Sequence, residues 1–214
     1  MGDEEYSRSF KGQIHGISPD VSHNPHYRSN SQTLIEKIIR ERIFESAYWK
    51  EFCVPLNAAT LLDQAVKLKY IGGSYSNTRP TEFLCLAFKL LQIGPEREII
   101  MTYLRAGEFK YLQALAMFYI RLTFPGVECY TILEPFLNDY RKLRQRGQNG
   151  FTLTYMDEYV DALLREERVC DTALPRIPSR FALEEADALE PRVSLLEGEI
   201  DSDDDVKDDD SDSN

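Results

Sequence analysis

Residues 109–123, FKYLQALAMFYIRLT, constrain the fold most, because eleven of these fifteen residues are apolar. At 100° per residue, Lys110, Gln113 and Arg121 fall on one narrow arc, and apolar side chains cover nearly every other direction. Such a helix must be surrounded by other elements on almost all sides. It is shorter than the roughly 20 apolar residues that a bilayer-spanning helix needs. The segment therefore predicts the buried central helix of a soluble helical domain.

Acidic residues are concentrated at one end of the chain. The 214 residues carry a formal net charge of −11. Residues 197–214 hold ten acids and one lysine, a net charge of −9, and residues 1–29 contribute −1, so the part between them is nearly neutral. We therefore predict a flexible arm at 1–29, a compact helical domain at 30–196 and a disordered acidic tail at 197–214.

The remaining hydrophobic pattern predicts about eight helices and one small β-hairpin. Residues 31–54 predict a first helix, with an apolar stripe at every fourth position, that ends before Pro55. Residues 127–146 predict another helix, with a kink or break at Pro135. The GQNG turn and the alternating segment FTLTY at 151–155 predict the hairpin. The predicted fold class is a single all-α domain.

The sequence contains no recognisable constellation for catalysis. It has no GxSxG, HExxH, GxGxxG or Walker motif, and all three histidines lie in the predicted arm. The four cysteines are more than thirty residues apart and form no CxxC pair, which predicts buried, reduced thiols in an intracellular protein. We predict that the protein is not an enzyme and has no metal or cofactor.

Tyr48, Trp49 and Phe52 form the first of two candidate partner-binding clusters. They crowd the end of the first predicted helix, and Trp49 is the only tryptophan in the chain. One interpretation is core packing. The other is an anchor for a helix of a partner protein, because Trp and Tyr are enriched at interface hot spots.

Arg141, Lys142, Arg144 and Arg146 form the second cluster, with four cations in six residues. Cations are favoured at a helix C-terminus, and the predicted helix ends here, so a purely structural cause is available. The alternative is a contact with an RNA backbone or with an acidic protein.

Seven segments in a fixed order resemble the N-terminal domain of the pre-mRNA-splicing factor 38 family. They are LIEKIIRERIFESAYWKE, YIGGSY, RPTEFLCLAFKLLQIGPE, FKYLQALAMFYIRLT, LEPFLNDYRKLR, ERVCDTALPR and LEPRVS. The resemblance runs from about residue 34 to 197, and seven ordered segments are far more specific than one motif. The chain differs from the family in a longer lead before the first helix and in a short acidic tail in place of an Arg/Ser-rich extension.

The resemblance implies a nuclear, non-catalytic component of the precatalytic spliceosome, associated with the tri-snRNP and needed for spliceosome activation. Its helical domain is expected to be a docking scaffold. The implied partners are a helical segment of the microfibrillar-associated protein 1 type, a zinc-finger splicing protein and the large scaffold protein of the particle. The alternative function is a direct RNA-binding module that uses residues 141–146.

Overall fold

The computed structural model describes residues 31–192, so the predicted arm at 1–29 and the predicted acidic tail at 197–214 lie outside the described residues. Residues 31–177 belong to one compact unit, and residues 178–192 belong to a second. The described part of the second unit contains one short α-helix, Arg180–Glu185. The hydroxyl of Ser179 caps this helix by accepting a hydrogen bond from the Ala182 N–H at 3.3 Å.

Residues 31–177 contain seven α-helices. They are α1 (Lys37–Glu45), α2 (Ala58–Ala65), α3 (Glu82–Ile93), α4 (Arg97–Arg105), α5 (Lys110–Thr123), α6 (Gly126–Leu133) and α7 (Met156–Arg165); the short helix of the second unit is α8. Three shorter helical segments accompany them: the 3₁₀ turns Ser31–Leu34 and Glu134–Asn138, and the π-helical turn Trp49–Cys53. The predicted all-α class is confirmed.

Three two-stranded antiparallel sheets connect these helices. They are β1 (Ser74–Tyr75) with β2 (Arg79–Pro80), β3 (Lys142–Gly147) with β4 (Gly150–Tyr155), and β5 (Arg168–Val169) with β6 (Thr172–Ala173). The β3–β4 pair is the predicted hairpin, which the structure confirms. Each strand of the other two pairs has only two residues, too few to show the alternation by which a strand is recognised in a sequence.

Helix α5 is the centre of the first unit. Residues 112–123 are all buried, and α2, α3, α4, α6 and α7 pack against the helix. The ring centres of Phe118 on α5 and Phe83 on α3 are 5.8 Å apart. The Tyr159 hydroxyl of α7 donates a hydrogen bond to the Ala114 carbonyl at 3.2 Å. The predicted burial of the central helix is confirmed.

Two of the charged or amide side chains of α5, Gln113 and Arg121, are also enclosed, which the sequence did not indicate. Gln113 donates from Nε2 to the Leu104 carbonyl at 2.7 Å, and Arg121 donates from Nε to the Leu163 carbonyl at 2.7 Å. Both residues are buried. Because a buried polar group is costly without a partner, these bonds lower the cost of enclosing an amide and a guanidinium in the core, where Arg121 Nη1 has no partner among the described residues.

The first predicted helix is divided into two parts. Helix α1 ends at Glu45. The next residue, Ser46, has an extended backbone, and a π-helical turn begins at Trp49. The Ser46 hydroxyl donates to the Ile43 carbonyl at 2.7 Å and accepts from the Trp49 N–H at 3.2 Å. Serine hydroxyls compete in this way with the backbone bonds of a helix, so the uninterrupted helix predicted over 31–54 is wrong.

The predicted helix over 127–146 is correct only in its first part. Helix α6 gives way at Pro135 to a 3₁₀ turn, so the predicted break is confirmed. Beyond it, the cationic segment is strand β3 and not a helix C-terminus. The Asp139 carboxylate accepts a hydrogen bond from the Arg141 N–H at 3.1 Å, and the following residues pair with β4. Strand pairing thus outweighs the good helix propensity of Lys, Leu, Arg and Gln.

All four cysteines are free and buried, as predicted. Burial raises the pKa of the Cys53, Cys85 and Cys170 thiols to about 12 and that of Cys129 to about 11, so each is protonated at neutral pH. Within residues 31–192, no helix is both long and apolar enough to cross a bilayer.

Candidate partner-binding surface

The β3–β4 hairpin has two chemically different faces. Leu143 is fully buried, and it lies opposite Thr154. Side chains alternate along a strand, so the residues on either side of Leu143 lie on the other face. Through the register of the pair, this outer face carries cations from one strand and apolar or aromatic residues from the other: Lys142, Arg144, Arg146, Phe151, Leu153 and Tyr155.

Arg144 and Arg146 stack on one aromatic ring. Their guanidinium carbons lie over Phe151, 4.2 Å and 4.4 Å from the ring centre, and Phe151 is 45% exposed. Cation–π attraction stabilises such contacts, and the planar guanidinium of arginine can also stack on the face of the ring. Neither guanidinium forms an ion pair with a carboxylate of residues 31–192. The two positive charges are therefore held in place by the ring, without a carboxylate partner among residues 31–192.

Arg141 has a different role from the other three cations of its cluster. It forms an ion pair with Asp139, donates to the Gly107 carbonyl at 2.5 Å and donates to Gln113 Oε1 at 2.5 Å. Hydrogen bonds from Arg141 hold the pKa of the Asp139 carboxyl below its usual range, against the opposing effect of burial. Arg141 thus joins the hairpin to the central helix, and Lys142, Arg144 and Arg146 remain available on the outer face.

Trp49 is a core residue and not an exposed one. It is 6% exposed, and its ring centre is 5.4 Å from Phe44 and 5.3 Å from Phe88. The Lys89 ammonium lies 5.7 Å from the Trp49 ring centre and donates to the Val54 carbonyl at 3.1 Å. The structure therefore matches the core-packing interpretation of Trp49, which supports the surface from beneath.

Phe52 faces outward from the π-helical turn, and the half-buried Tyr48 packs against it. Their ring centres are 5.3 Å apart, and Phe52 is 43% exposed. Phe44 and Val54 are also exposed nearby in sequence, at 37% and 59%. This end of the molecule therefore presents apolar side chains to solvent beside a rigid aromatic core, which is the composition of a protein-binding surface.

The tertiary structure joins the two predicted clusters into one surface. Tyr48 and Tyr75 line the same cavity of about 510 Å³, together with Arg42 and Arg79. Arg146 lies over the Tyr75 ring at 4.8 Å as well as over Phe151. We call the resulting surface the aromatic–arginine belt, and it consists of Phe52, Tyr48, Tyr75, Arg146, Phe151 and Arg144.

Tyr70 supports the belt from its inner side. Its ring centre is 5.4 Å from that of Phe151, in an edge-to-face contact. Burial raises the pKa of Tyr70 to about 12, with a further increase from Glu82 and a smaller opposing effect of Arg146. Burial also raises the pKa of Tyr48, with Cys53 and Glu82 acting in the same direction. Both phenols are therefore neutral at physiological pH, and the charge of the belt comes from its arginines.

A close backbone approach at Gly72 explains how these residues come together. Ile71 donates to the Arg144 carbonyl at 2.8 Å and accepts from the Arg146 N–H at 2.8 Å, which places it along the free edge of β3. A Cβ atom at Gly72 would lie 2.4 Å from the Arg146 carbonyl oxygen, and Gly72 has a φ of +147°. Only glycine fits here. The YIGGSY segment was visible in the sequence, but its contact with the hairpin was not.

The opposite side of the hairpin borders a second cavity of about 480 Å³. Its polar groups largely pair with one another: Thr154 donates to Glu158 Oε2 at 2.8 Å, and the Ser74 N–H donates to Asp171 Oδ2 at 2.7 Å. Within the part of the chain that the structure describes, no three His, Cys, Asp or Glu side chains are placed to hold a metal ion together. The aromatic–arginine belt is the stronger candidate site.

Comparison with known proteins identifies the family. The model of the PRP38 family matches residues 24–187. The chain belongs to the PRP38 family. The chain is 60% identical over 161 residues to pre-mRNA-splicing factor 38 of Schizosaccharomyces pombe, a match that covers 75% of this chain and 77% of that protein. It is 51% identical over 175 residues to pre-mRNA-splicing factor 38A of Homo sapiens, covering 81% of this chain and 56% of the relative.

A solved structure has the same fold. It is the crystal structure of the Snu23–Prp38–MFAP1(217–258) complex of Chaetomium thermophilum, in which the matched chain is 51% identical and superposes with a TM-score of 0.76. The match covers 82% of this chain and 93% of that one. The family resemblance drawn from seven ordered sequence segments is therefore confirmed.

Proposed function

We propose that this protein is a nuclear, non-catalytic pre-mRNA-splicing factor that acts as a protein-binding scaffold in the precatalytic spliceosome and its tri-snRNP, where it is needed for activation. The family membership and the names of the relatives support the splicing function. The proposed partners are an MFAP1-type helical segment, a zinc-finger protein of the Snu23 type and the large scaffold protein of the particle. The first two are components of the complex that contains the matched structure.

The observation that carries the scaffold proposal is the exposed aromatic surface of the belt, fixed on a rigid helical body. Phe52 presents its ring to solvent, the half-buried Tyr48 packs against it, and the buried Trp49 packs beneath this end of the molecule. An amphipathic helix recognised by such a surface would pack its apolar anchors against these rings.

Substitution of Phe52 tests this proposal, with Phe109 as a matched control. The two phenylalanines are 43% and 40% exposed, but Phe109 precedes α5 and lies outside the belt. Calorimetric titration of the full chain with an MFAP1-type helical peptide should show F52S weakening affinity about thirtyfold, the effect of a typical hot spot of about 2 kcal/mol. F109S should change it by less than about twofold. Equal affinities for wild type and F52S would exclude this part of the belt as the docking site.

The spliceosomal setting needs a separate test. The tagged full chain, recovered from nuclear extract, should co-purify with spliceosomal proteins, among them those of the MFAP1 and Snu23 types. Recovery without any spliceosomal protein would contradict the proposed scaffold function. The F52S variant should recover less of the partner that docks on the belt, and it should still recover proteins bound elsewhere on the surface.

A second candidate function is direct RNA binding through the basic cluster. The observation in its favour is that Lys142, Arg144 and Arg146 share one exposed hairpin face without an ion pair among the described residues. Arg141 is not part of this candidate site, because its guanidinium is bonded to Asp139, Gly107 and Gln113. Binding of this kind is expected to weaken steeply with salt.

A further inference from the structure

We propose that the outer face of the β3–β4 hairpin binds single-stranded RNA by stacking bases on the Arg144–Phe151–Arg146 group. The proposal deepens the second candidate function, because it names the form of RNA and the mode of contact. It rests on three properties of this face, which are unpaired charge, prearranged flat groups and a size suited to a few nucleotides.

The first property is the unpaired charge of this face, which three other arginines of the same unit do not share. Arg97 pairs with Glu128, Arg165 with Asp161, and Arg168 with Glu36. On the hairpin face, the side chains of Arg144 and Arg146 lie over aromatic rings. Neither they nor Lys142 form an ion pair with a carboxylate of the described residues. A polyanion can therefore contact three cations without displacing a carboxylate of the part of the chain that the structure describes.

The second property is the arrangement of flat groups. A guanidinium that lies over a ring keeps its N–H edge free for phosphate oxygens, and it can stack a base on the plane that faces away from the ring, which is open for Arg144. Arg146 is held by two rings, at 4.8 Å from Tyr75 and 4.4 Å from Phe151. Since these contacts restrict the side chain before any ligand arrives, less conformational entropy is lost on binding.

The third property is size. Strand β3 has six residues, which makes the face roughly 20 Å long at about 3.4 Å per residue. The smallest sites for single strands hold about four nucleotides, which fits this length. Leu153, 59% exposed beside Phe151 on the same face, extends the apolar part of the surface. An RNA duplex would offer this short face its phosphates and hydroxyls, with its bases stacked inside the helix.

An acidic helix is the competing ligand, and the stacked groups favour RNA over it. Carboxylates pair with guanidinium edges and make no use of exposed ring and guanidinium planes. Bases use both the planes and, through their phosphates, the charges. The two ligands therefore differ in how strongly their binding depends on the ring of Phe151.

The experiment measures fluorescence anisotropy of a labelled oligouridylate of about ten nucleotides, titrated with the full chain at low and increasing salt. The wild type should bind at low salt. The R144Q/R146Q variant should bind at least about tenfold more weakly, and the slope of log affinity against log salt should become shallower by about 1.4, the value for two phosphate contacts. F151L keeps an apolar side chain but removes the ring, and it should weaken binding at least about fivefold with an unchanged slope.

The matched control is K37Q/R105Q, which removes the same charge from exposed positions on α1 and α4. Its affinity should stay within about twofold of the wild type if the hairpin face is the site. Absence of binding by the wild type at low salt would overturn the proposal. So would equal affinities for F151L and wild type, because the bases would then not stack there, or tighter binding of an oligoglutamate than of RNA through the same arginines.

The same variants separate this proposal from the scaffold function. Calorimetry with the MFAP1-type peptide is repeated on F151L and R144Q/R146Q. Intact peptide binding together with no RNA binding by the wild type rejects the RNA proposal alone. Loss of peptide binding in F52S with RNA binding retained supports both functions on different parts of the belt.

Discussion

Helix α5 and the β3–β4 hairpin use the same residue types for opposite purposes. In α5, Arg121 is buried and donates to the Leu163 carbonyl near the end of α7, which satisfies an acceptor that a helix terminus leaves open. In the hairpin, Arg144 and Arg146 lie on the surface and rest on Phe151. Phenylalanine shows the same contrast, since Phe118 is fully buried whereas Phe151 is nearly half exposed.

The comparison teaches that residue type alone does not distinguish a structural side chain from one available for binding. The distinction lies in whether the partners of that side chain are internal. Arg141 lies one residue before β3, yet its contacts with Gln113 and Gly107 assign it to the structural set. Four predictions test this division. Three of them compare the stability loss caused by a substitution at an internally bonded residue with the loss at an exposed one. The fourth compares the effect of one substitution at different pH values.

The largest effect is expected from truncating the buried phenylalanine. F118A should lower the free energy of unfolding by about 3–5 kcal/mol, because it leaves a cavity against Phe83 in the core. F151A should lower it by about 1 kcal/mol or less, since that ring is partly in solvent. Urea unfolding of the full chain measures both. Similar losses would mean that Phe151 is a structural residue and not a surface ready for a ligand.

The second prediction concerns the attachment of residues 71–73 to the hairpin. G72A should cost about 3 kcal/mol, because its Cβ would collide with the Arg146 carbonyl at 2.4 Å in a backbone conformation that only glycine tolerates. G147A should change stability by about 0.5 kcal/mol or less, since no atom lies within 4 Å of the added Cβ. Chemical denaturation is again the measurement. A tolerated G72A would show that the close approach can relax.

The third prediction compares two arginines three residues apart. R141A should lower the free energy of unfolding by about 2 kcal/mol, because it removes hydrogen bonds to Asp139 and Gly107 and leaves Gln113 Oε1 unpaired. R144A should lie within about 0.5 kcal/mol of the wild type. Thermal and urea unfolding should agree on the order. The reverse order would contradict the division of the basic cluster.

The smallest effect is pH-dependent and belongs to Asp139. Hydrogen bonds from Arg141 hold the folded-state pKa of this carboxyl below its unfolded value, so the ionised form stabilises the fold. D139N should therefore be less stable than the wild type by about 1 kcal/mol at pH 7. The difference should persist down to about pH 4, the usual pKa of Asp, and shrink as the pH falls further through the depressed value. A difference that is constant from pH 7 to pH 2 would assign the effect to shape and not to charge.

Much of the fold was predictable because its determinants are local. The apolar run in α5, the break at Pro135 and the GQNG turn each specify their structure within a few residues. The interruption at Ser46 was less visible, because a serine in a helical pattern becomes a break only when its hydroxyl finds backbone partners. The strand at 142–147 was mistaken for helix, since its pairing partner lies beyond a turn and its composition suits a helix.

The sequence by itself determined the helical class, the buried centre, the hairpin and the family, because hydrophobic periodicity, turn residues and ordered motifs are properties of consecutive positions. Only the tertiary structure decided that Trp49 supports the surface from within, that Arg141 is bound internally, and that Tyr48 and Phe52 belong to the same belt as Arg146 and Phe151. The physical reason is that burial and pairing depend on which distant segments meet. Here they meet through the close approach of Gly72 to β3, which no local pattern encodes.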